Sequence, residues 1–333
     1  MHLLILGLLI VLSSATSNIP IIWNITLQGD YGVGISNSVI KSDDGGYVIA
    51  GYNYQGPNTL TDVWVIKINA NGNSEWYRTF DGGYGNDSAY SIIKLNDGYL
   101  IVGSSFQGSS NHNDVWVIKI DANGDHVWNR TFHGGYASDV GRSVIKSDDG
   151  GYVIAGKTYQ GPNTQADVWV IKIDANGDHV WNRTFHGGYG PDWGYSITKS
   201  DDGGYVITGY SYQGPNTLTD VWVIKIDANG DHVWNRTFHG GYGKDVGYYI
   251  IKSNSGGYVV VGYMEDSNNN NNLWIINIDT NGNHVSNISL NNWYGEVRNN
   301  FSSNVSNNDY WINLTLDNAI SWNVTLVVDG VDV

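Results

Sequence analysis

The chain has 333 residues, with 43 Gly, 23 Tyr, 14 Trp, no Cys and a formal net charge of −15. Without cysteine there are no disulfides and no thiolate chemistry, and the acidic balance, with a pI near 4.7, argues against nucleic acid as a partner. A chain of this length buries enough core to stand without covalent staples.

Residues 1–17 run apolar from Leu3 to Leu12 and then turn small and polar. About ten apolar residues are too few to span a bilayer. Ala15-Thr16-Ser17 offers small residues for cleavage, so 1–17 reads as a secretory signal peptide. No other segment reads as a membrane-crossing helix, and the C-terminus shows no anchor pattern. The mature protein is then secreted or held at the extracellular cell surface.

From residue 18 onward the text repeats. SDDGGYVITGYSYQGPNTLTDVWVIKIDANGDHVWNRTFHGGY, starting at Ser200, recurs closely from Ser42 and Ser147 and more loosely from Leu95 and Ser253. The Trp of the DVW triplet recurs as Trp64, Trp116, Trp169 and Trp222, with Trp274 in a weaker copy. A second Trp follows at Trp76, Trp128, Trp181 and Trp234. The period is about 53 residues, the length of a four-stranded propeller blade.

Each unit holds four strand-like runs. In the fourth copy these are Ser196 to Lys199, Tyr205 to Tyr212, Val221 to Ile226 and His232 to Phe238. SDDGG, QGPNT and DANGD separate them as turn and breaker signals. The third run is rich in Val, Ile and Trp, as half-buried pleated surfaces favour. No segment carries a helical period over eleven residues. The fold class is therefore all-β, a β-propeller spanning 18–333.

Its units run at about 38–90, 91–142, 143–195, 196–248 and 249–290. A sixth, composite blade is expected from 21–27, which resembles only a fourth strand, joined to strands within 301–333. Such closure removes sheet edges. The alternative is five blades with a small C-terminal β segment.

Four sets of residues are candidates for function. Asp87, Asp139, Asp192 and Asp245 recur in the loops between blades, where they can ring one mouth of the channel or cap their own loops. Tyr136, Tyr189 and Tyr242 stand in the GGY loops, on a face where propeller ligands usually sit. The DANGD turns place oxygens at Asp121, Asn123 and Asp125, at Asp174, Asn176 and Asp178, and at Asp227, Asn229 and Asp231. These suit Ca²⁺ but equally suit a tight hairpin. Sequons at Asn24, Asn129, Asn182, Asn235 and Asn287 fall on fourth strands and are glycosylation candidates. His133, His186 and His239 repeat in FHGG, with no second His or Asp at short zinc-site spacing.

The run GGYVIAG, then DVWVIKIDANGD, then HVWNRTFHGGYG resembles the secreted β-propeller repeats of archaeal and bacterial surface proteins. The resemblance extends from Ile21 to about Asn287 and implies a propeller, export and a role at the cell envelope, without implying an activity. DANGD with its following Trp is also similar to a motif of pyrroloquinoline-quinone propellers, from which six units and the lack of Cys set this chain apart. The expectation is a non-catalytic binding or structural module for envelope glycans or proteins, with no cofactor beyond Ca²⁺. The alternative is a carbohydrate-active hydrolase or lyase, which requires two differently tuned carboxylates. Its candidates are the four loop aspartates with Glu265 or Glu296.

Overall fold

The computed structural model describes residues 34–54, 60–106, 112–135, 137–160, 165–212, 218–253, 256–290, 310–311 and 325–326. Segment 1–17, read from sequence as a signal peptide, segment 21–27, read as a strand, Asn24, Tyr136, Glu296 and most of 301–333 lie outside the described residues.

Five four-stranded antiparallel sheets, the blades of a β-propeller, follow one another along the chain. The first is β1 (Gly34–Lys41), β2 (Tyr47–Tyr54), β3 (Thr61–Ile68) and β4 (Ser74–Phe80). The second is β5 (Ser88–Lys94), β6 (Gly98–Ser105), β7 (Asp114–Asp121) and β8 (His126–Phe132). The third is β9 (Val140–Lys146), β10 (Tyr152–Thr158), β11 (Asp167–Ile173) and β12 (His179–Phe185). The fourth is β13 (Trp193–Lys199), β14 (Tyr205–Tyr212), β15 (Thr219–Ile226) and β16 (His232–Phe238). The fifth is β17 (Asp245–Lys252), β18 (Tyr258–Glu265), β19 (Asn271–Ile278) and β20 (His284–Leu290). Near the C-terminus β21 (Tyr310–Trp311) pairs with β22 (Thr325–Leu326). That pairing joins the two stretches read from sequence as strands of a sixth blade.

Contacts divide the chain into two compact units. One comprises Met1–Asn111, Trp116–Thr131 and Gly295–Val333; the other comprises His112–Val115 and Phe132–Tyr294. Within the first, the apolar faces of adjacent sheets meet through Val48, Val63 and Val65 on one side and Ile101, Trp116 and Ile118 on the other. In the second, Val153, Val168 and Val170 meet Ile207, Trp222 and Ile224, and the next interface repeats the pattern with Val260, Trp274 and Ile276. The DVW tryptophans are thus interface filler, the role that large aromatics play in a close-packed core.

The second Trp of each unit has a different task. A Cβ on Gly230 would lie 2.9 Å from the Trp181 ring, and one on Gly124 would lie 2.8 Å from that of Trp76. The DANGD glycine, at φ 83° in Gly230, serves the hairpin turn and also leaves room for the preceding sheet's indole. Arg183 follows its Trp and donates to the Asn229 carbonyl at 3.0 Å and to Asp231 at 3.2 Å. Arg78 does the same to Asn123 and Asp125.

Below the turns, Lys67, Lys172 and Lys225 bury their stems in the third strands and pair with Asp44, Asp149 and Asp202 of the SDDGG turns. The Lys172 and Lys225 ammoniums bring the Asp149 and Asp202 carboxyls down to about 2.

Each first strand carries a one-residue bulge. In the fourth sheet the register passes from Gly194↔Gly209 to Ser196↔Thr208, leaving Tyr195 outside the ladder. The glycine opposite is required by close approach, because a Cβ on Gly209 would sit 1.7 Å from the Trp193 carbonyl oxygen. Gly209→Ala is therefore expected to destabilise the protein by about 2 kcal/mol or more, measured by urea unfolding. Gly203, whose added Cβ meets nothing within 4 Å, is the comparison site. Its positive φ of 82° alone penalises Ala, by about 1 kcal/mol.

Candidate functional site

The loops between sheets gather carboxylates and imidazoles into four repeated clusters. They are Asp62, Asp81 and Asp87; Asp114, His133 and Asp139; Asp167, His186 and Asp192; and Asp220, His239 and Asp245. In each, one ligand atom per residue lies within 4.8 Å of the others, a spacing that can hold a metal ion. The residues come from the start of a third strand, the end of the fourth and the loop beyond it. They are far apart in sequence, and hairpin pairing brings them together.

The four loop aspartates are buried, each with 0% exposure. Asp192 accepts from the Gly187 amide at 2.5 Å and the Tyr212 amide at 3.3 Å, and from the Ser211 hydroxyl. Its own amide donates to the Ala166 carbonyl at 2.6 Å. Asp87, Asp139 and Asp245 likewise accept two backbone amides, from Gly82 and Phe106, Gly134 and Tyr159, and Gly240 and Glu265. Burial raises all four carboxyls above the usual range, with Asp245 at about 6, although these donors pull the other way.

In three clusters the histidine completes the site. His186 Nδ1 stands 2.8 Å from Asp167 and 3.5 Å from Asp192. Burial lowers the His186 value, and its carboxylate partners outweigh that and raise it. His133 and His239 make the same contacts to Asp114 and Asp220, at 2.7 and 2.8 Å.

The first cluster departs from the others because Asp81 stands where they have histidine. Three carboxylates then share one space with no imidazole among them. Burial first, and then the charges of Asp81 and Asp87, push Asp62 up to about 6. Asp62 is half-buried and Asp81 exposed, so these two can meet a substrate while Asp87 holds its loop. Sequence reading missed Asp62 and Asp81. The signal was the FDGG of the first unit in place of FHGG.

One carboxylate oxygen of the first aspartate in each DANGD run is engaged by its own turn. Asp121 Oδ1 accepts from Asn123 and Asp125 amides at 2.8 and 2.9 Å. Asp174 does the same for Asn176 and Asp178, and Asp227 for Asn229 and Asp231. Tyr189 and Tyr242 are exposed, at 65% and 74%. The sequon amides of Asn129, Asn182, Asn235 and Asn287 each lie near 3 Å from a histidine Nε2 three residues earlier. Glu265 Oε2 accepts from the Lys244 amide at 2.7 Å.

No protein-family profile matches the chain, and no curated protein matches its sequence. Solved structures do. A protein of unknown function from Dyadobacter fermentans aligns with a TM-score of 0.52 at 10% identity, over 79% of this chain and 84% of that one. An apocarotenoid oxygenase/RPE65 chimera aligns at 0.50 and 9% identity, over 80% and 65%. A GH43 β-xylosidase/α-arabinofuranosidase from a compost metagenome aligns at 0.44 and 9% identity, over 76% and 94%. The chain spans 62% of the length of the Synechocystis apocarotenoid oxygenase. These likenesses are of fold.

The expectation of a non-catalytic module is corrected here. Among the described residues, four loop clusters bring together acid–base and metal-ligating groups that the sequence did not show as neighbours. The physical reason for the error is that sequence shows four like aspartates, whereas burial and the Asp81 exchange make one cluster unlike the rest.

Asp62 lies above its ordinary 3.8, at about 6. Its contribution to stability is complete below the unfolded value and is lost as pH rises through about 6. Asp149 and Asp202 act in the opposite sense, contributing above their ordinary value and losing it as pH falls through about 2. Asp62→Asn is expected to match the parent at pH values below the ordinary carboxylate range and to exceed it at neutral pH. Denaturant unfolding at both extremes checks this, and a loss of stability at neutral pH would count against it.

Proposed function

We propose that the chain is a carbohydrate-active hydrolase in which Asp62 is the general acid and Asp81 the nucleophile. The observation that carries this reading is the three-carboxylate cluster of the first sheet, whose member Asp62 keeps its proton up to about pH 6. Glycoside hydrolysis needs one protonated and one ionised carboxyl group flanking the scissile bond. Asp81 attacks the anomeric carbon as the glycosidic C–O bond breaks, and Asp62 passes its proton to the leaving oxygen. Water then displaces the sugar from Asp81, with Asp62 taking the proton back. Oxygens within 4.8 Å favour retention, since retaining pairs stand about 5 to 5.5 Å apart and inverting pairs need room for a water. An extracellular polysaccharide as substrate fits the leader-like 1–17 segment and the sequons.

A second reading is a divalent cation held by Asp62, Asp81 and Asp87, favoured by the same convergence of oxygens. Such hard ligands suit Ca²⁺, which would replace the proton on Asp62.

The test is release of reducing ends from a panel of neutral and acidic polysaccharides, with calcium or with EDTA. Activity is expected with a kcat/KM that falls above pH 6, and Asp62→Asn and Asp81→Asn should each lower it by about 10²- to 10⁴-fold. No release from any polymer, or activity unchanged in both variants, would sink the assignment. Activity abolished by EDTA and restored by calcium would select the second reading.

A further inference from the structure

The second to fourth units share DVWVIKIDANGDHVWNRTFHGGY unchanged and differ on their first two strands and on the loop between the second and third. The bulged residue of each first strand is Asn37, Tyr90, Arg142, Tyr195 or Tyr248. The second-strand residue near it is Tyr52, Ser104, Lys157, Tyr210 or Tyr263. Neighbouring text barely changes: SVIK, SIIK, SVIK, SITK and YIIK follow the bulges. A bulge frees its side chain from the strand's alternation and re-aims it, and bulges concentrate beside functional sites. Among those three units the bulge residue, Tyr90, Arg142 or Tyr195, is one of the positions that diverge.

In the unit comprising the third to fifth sheets these residues meet. The Tyr195 ring lies 5.0 Å from Tyr248 and 6.0 Å from Tyr210, and Trp193 stacks at 5.8 Å from Tyr210. Tyr248 continues to Tyr263 at 5.9 Å. Two cations border these rings. The Arg142 guanidinium is 5.7 Å from the Trp193 and Tyr195 centroids, and the Lys157 ammonium is 3.8 Å from Trp193 and 5.1 Å from Tyr159.

Lys157 departs from the chain's habit. It is 8% exposed. The similarly buried Lys67, Lys172 and Lys225 each have a carboxylate partner. Among the described residues Lys157 has no hydrogen-bond or ion-pair partner, only ring faces and the longer-range field of Asp139. Burial, and then the charge of a second cation, Arg142, draws the ammonium down to about 8, against the opposing pull of Asp139. A buried cation beside another cation is unfavourable unless an anion completes it. Local arrangements that cost stability in this way mark functional sites. The partly buried Tyr195 and Tyr248 rings add flat surface for a ring-shaped body.

We propose that this cluster is a subsite for a carboxylate-bearing sugar, a hexuronic acid residue of an acidic glycan. Its carboxylate is received by Lys157 and Arg142, and its pyranose face rests on the Tyr195 and Tyr248 rings. Guanidinium and ammonium are the groups that bind carboxylate by charge-assisted hydrogen bonds. No bond is made or broken here, and the subsite stands whether or not Asp62 is catalytic.

The test is calorimetric titration of the full chain with hexagalacturonate, with a neutral galactose hexamer and with inorganic phosphate. Saturable binding of the uronate is expected, with the neutral hexamer and phosphate each at least about tenfold weaker. Lys157→Gln should weaken uronate binding by about tenfold or more, the loss of a charge-assisted hydrogen bond. Near-UV circular dichroism reports whether that variant keeps its native packing; should it not, Arg142→Gln carries the same expectation. Tyr248→Phe, which keeps the ring, should stay within about threefold, and Tyr248→Ala should not. The proposal is overturned if the uronate does not bind, if the neutral hexamer or phosphate binds as well, or if a natively packed Lys157→Gln or Arg142→Gln chain binds it undiminished.

Discussion

Each loop that carries the chain from one sheet to the next turns on a carboxylate with no exposure to solvent. Asp192 takes amide hydrogens from the glycine behind it and from Tyr212 ahead, while its own amide is held by Ala166 of the preceding sheet. One residue, through its carboxylate and its own amide, thus fixes three backbone segments. Desolvating a carboxylate is costly, and several directed donors offset that cost. Everything beyond the loop depends on this anchor. It sets where the next first strand begins, and so where its bulge falls and where the cluster histidine points.

Repetition gives the molecule its stability, and departures from repetition make one loop cluster unlike the others. Trp181 resting on Gly230 and Arg183 reaching Asn229 are repeated almost unchanged at Trp76 and Arg78. Such contacts are interchangeable between sheets. A catalytic pair cannot be interchangeable, because acid and nucleophile need different proton affinities at the same pH. In the first cluster burial, and then the charges of Asp81 and Asp87, raise Asp62, and Asp81 stands where the other clusters have an imidazole. The bulge residues follow the same logic. Their neighbours hold the strand in place, which leaves the bulged side chain free to vary without disturbing the ladder.

The four loop aspartates were visible in the sequence as a set, and their capping role was one of two readings. Sequence carries no burial, so it could not separate a free ring of carboxylates from four buried anchors. The DANGD turns were likewise legible as hairpins or as calcium loops. Only the observation that Asp121, Asp174 and Asp227 each accept from two amides of their own turn shows how those oxygens are spent. The histidines of FHGG looked isolated because their partners lie 19 residues before and several after. Such partners arrive only when the third and fourth strands pair.

The amino-acid sequence by itself determined the all-β class, the four-stranded unit and the order of strands. Those depend on local period, on turn chemistry and on a repeat long enough to recognise. Tertiary structure decided which polar groups are buried and which far-separated residues share a space. It made Asp62 a half-buried carboxyl with a raised proton affinity, Asp87 an anchor and Lys157 a cation among rings. These properties arise from desolvation and from distances across strands, and neither quantity exists until the sheets have folded and packed.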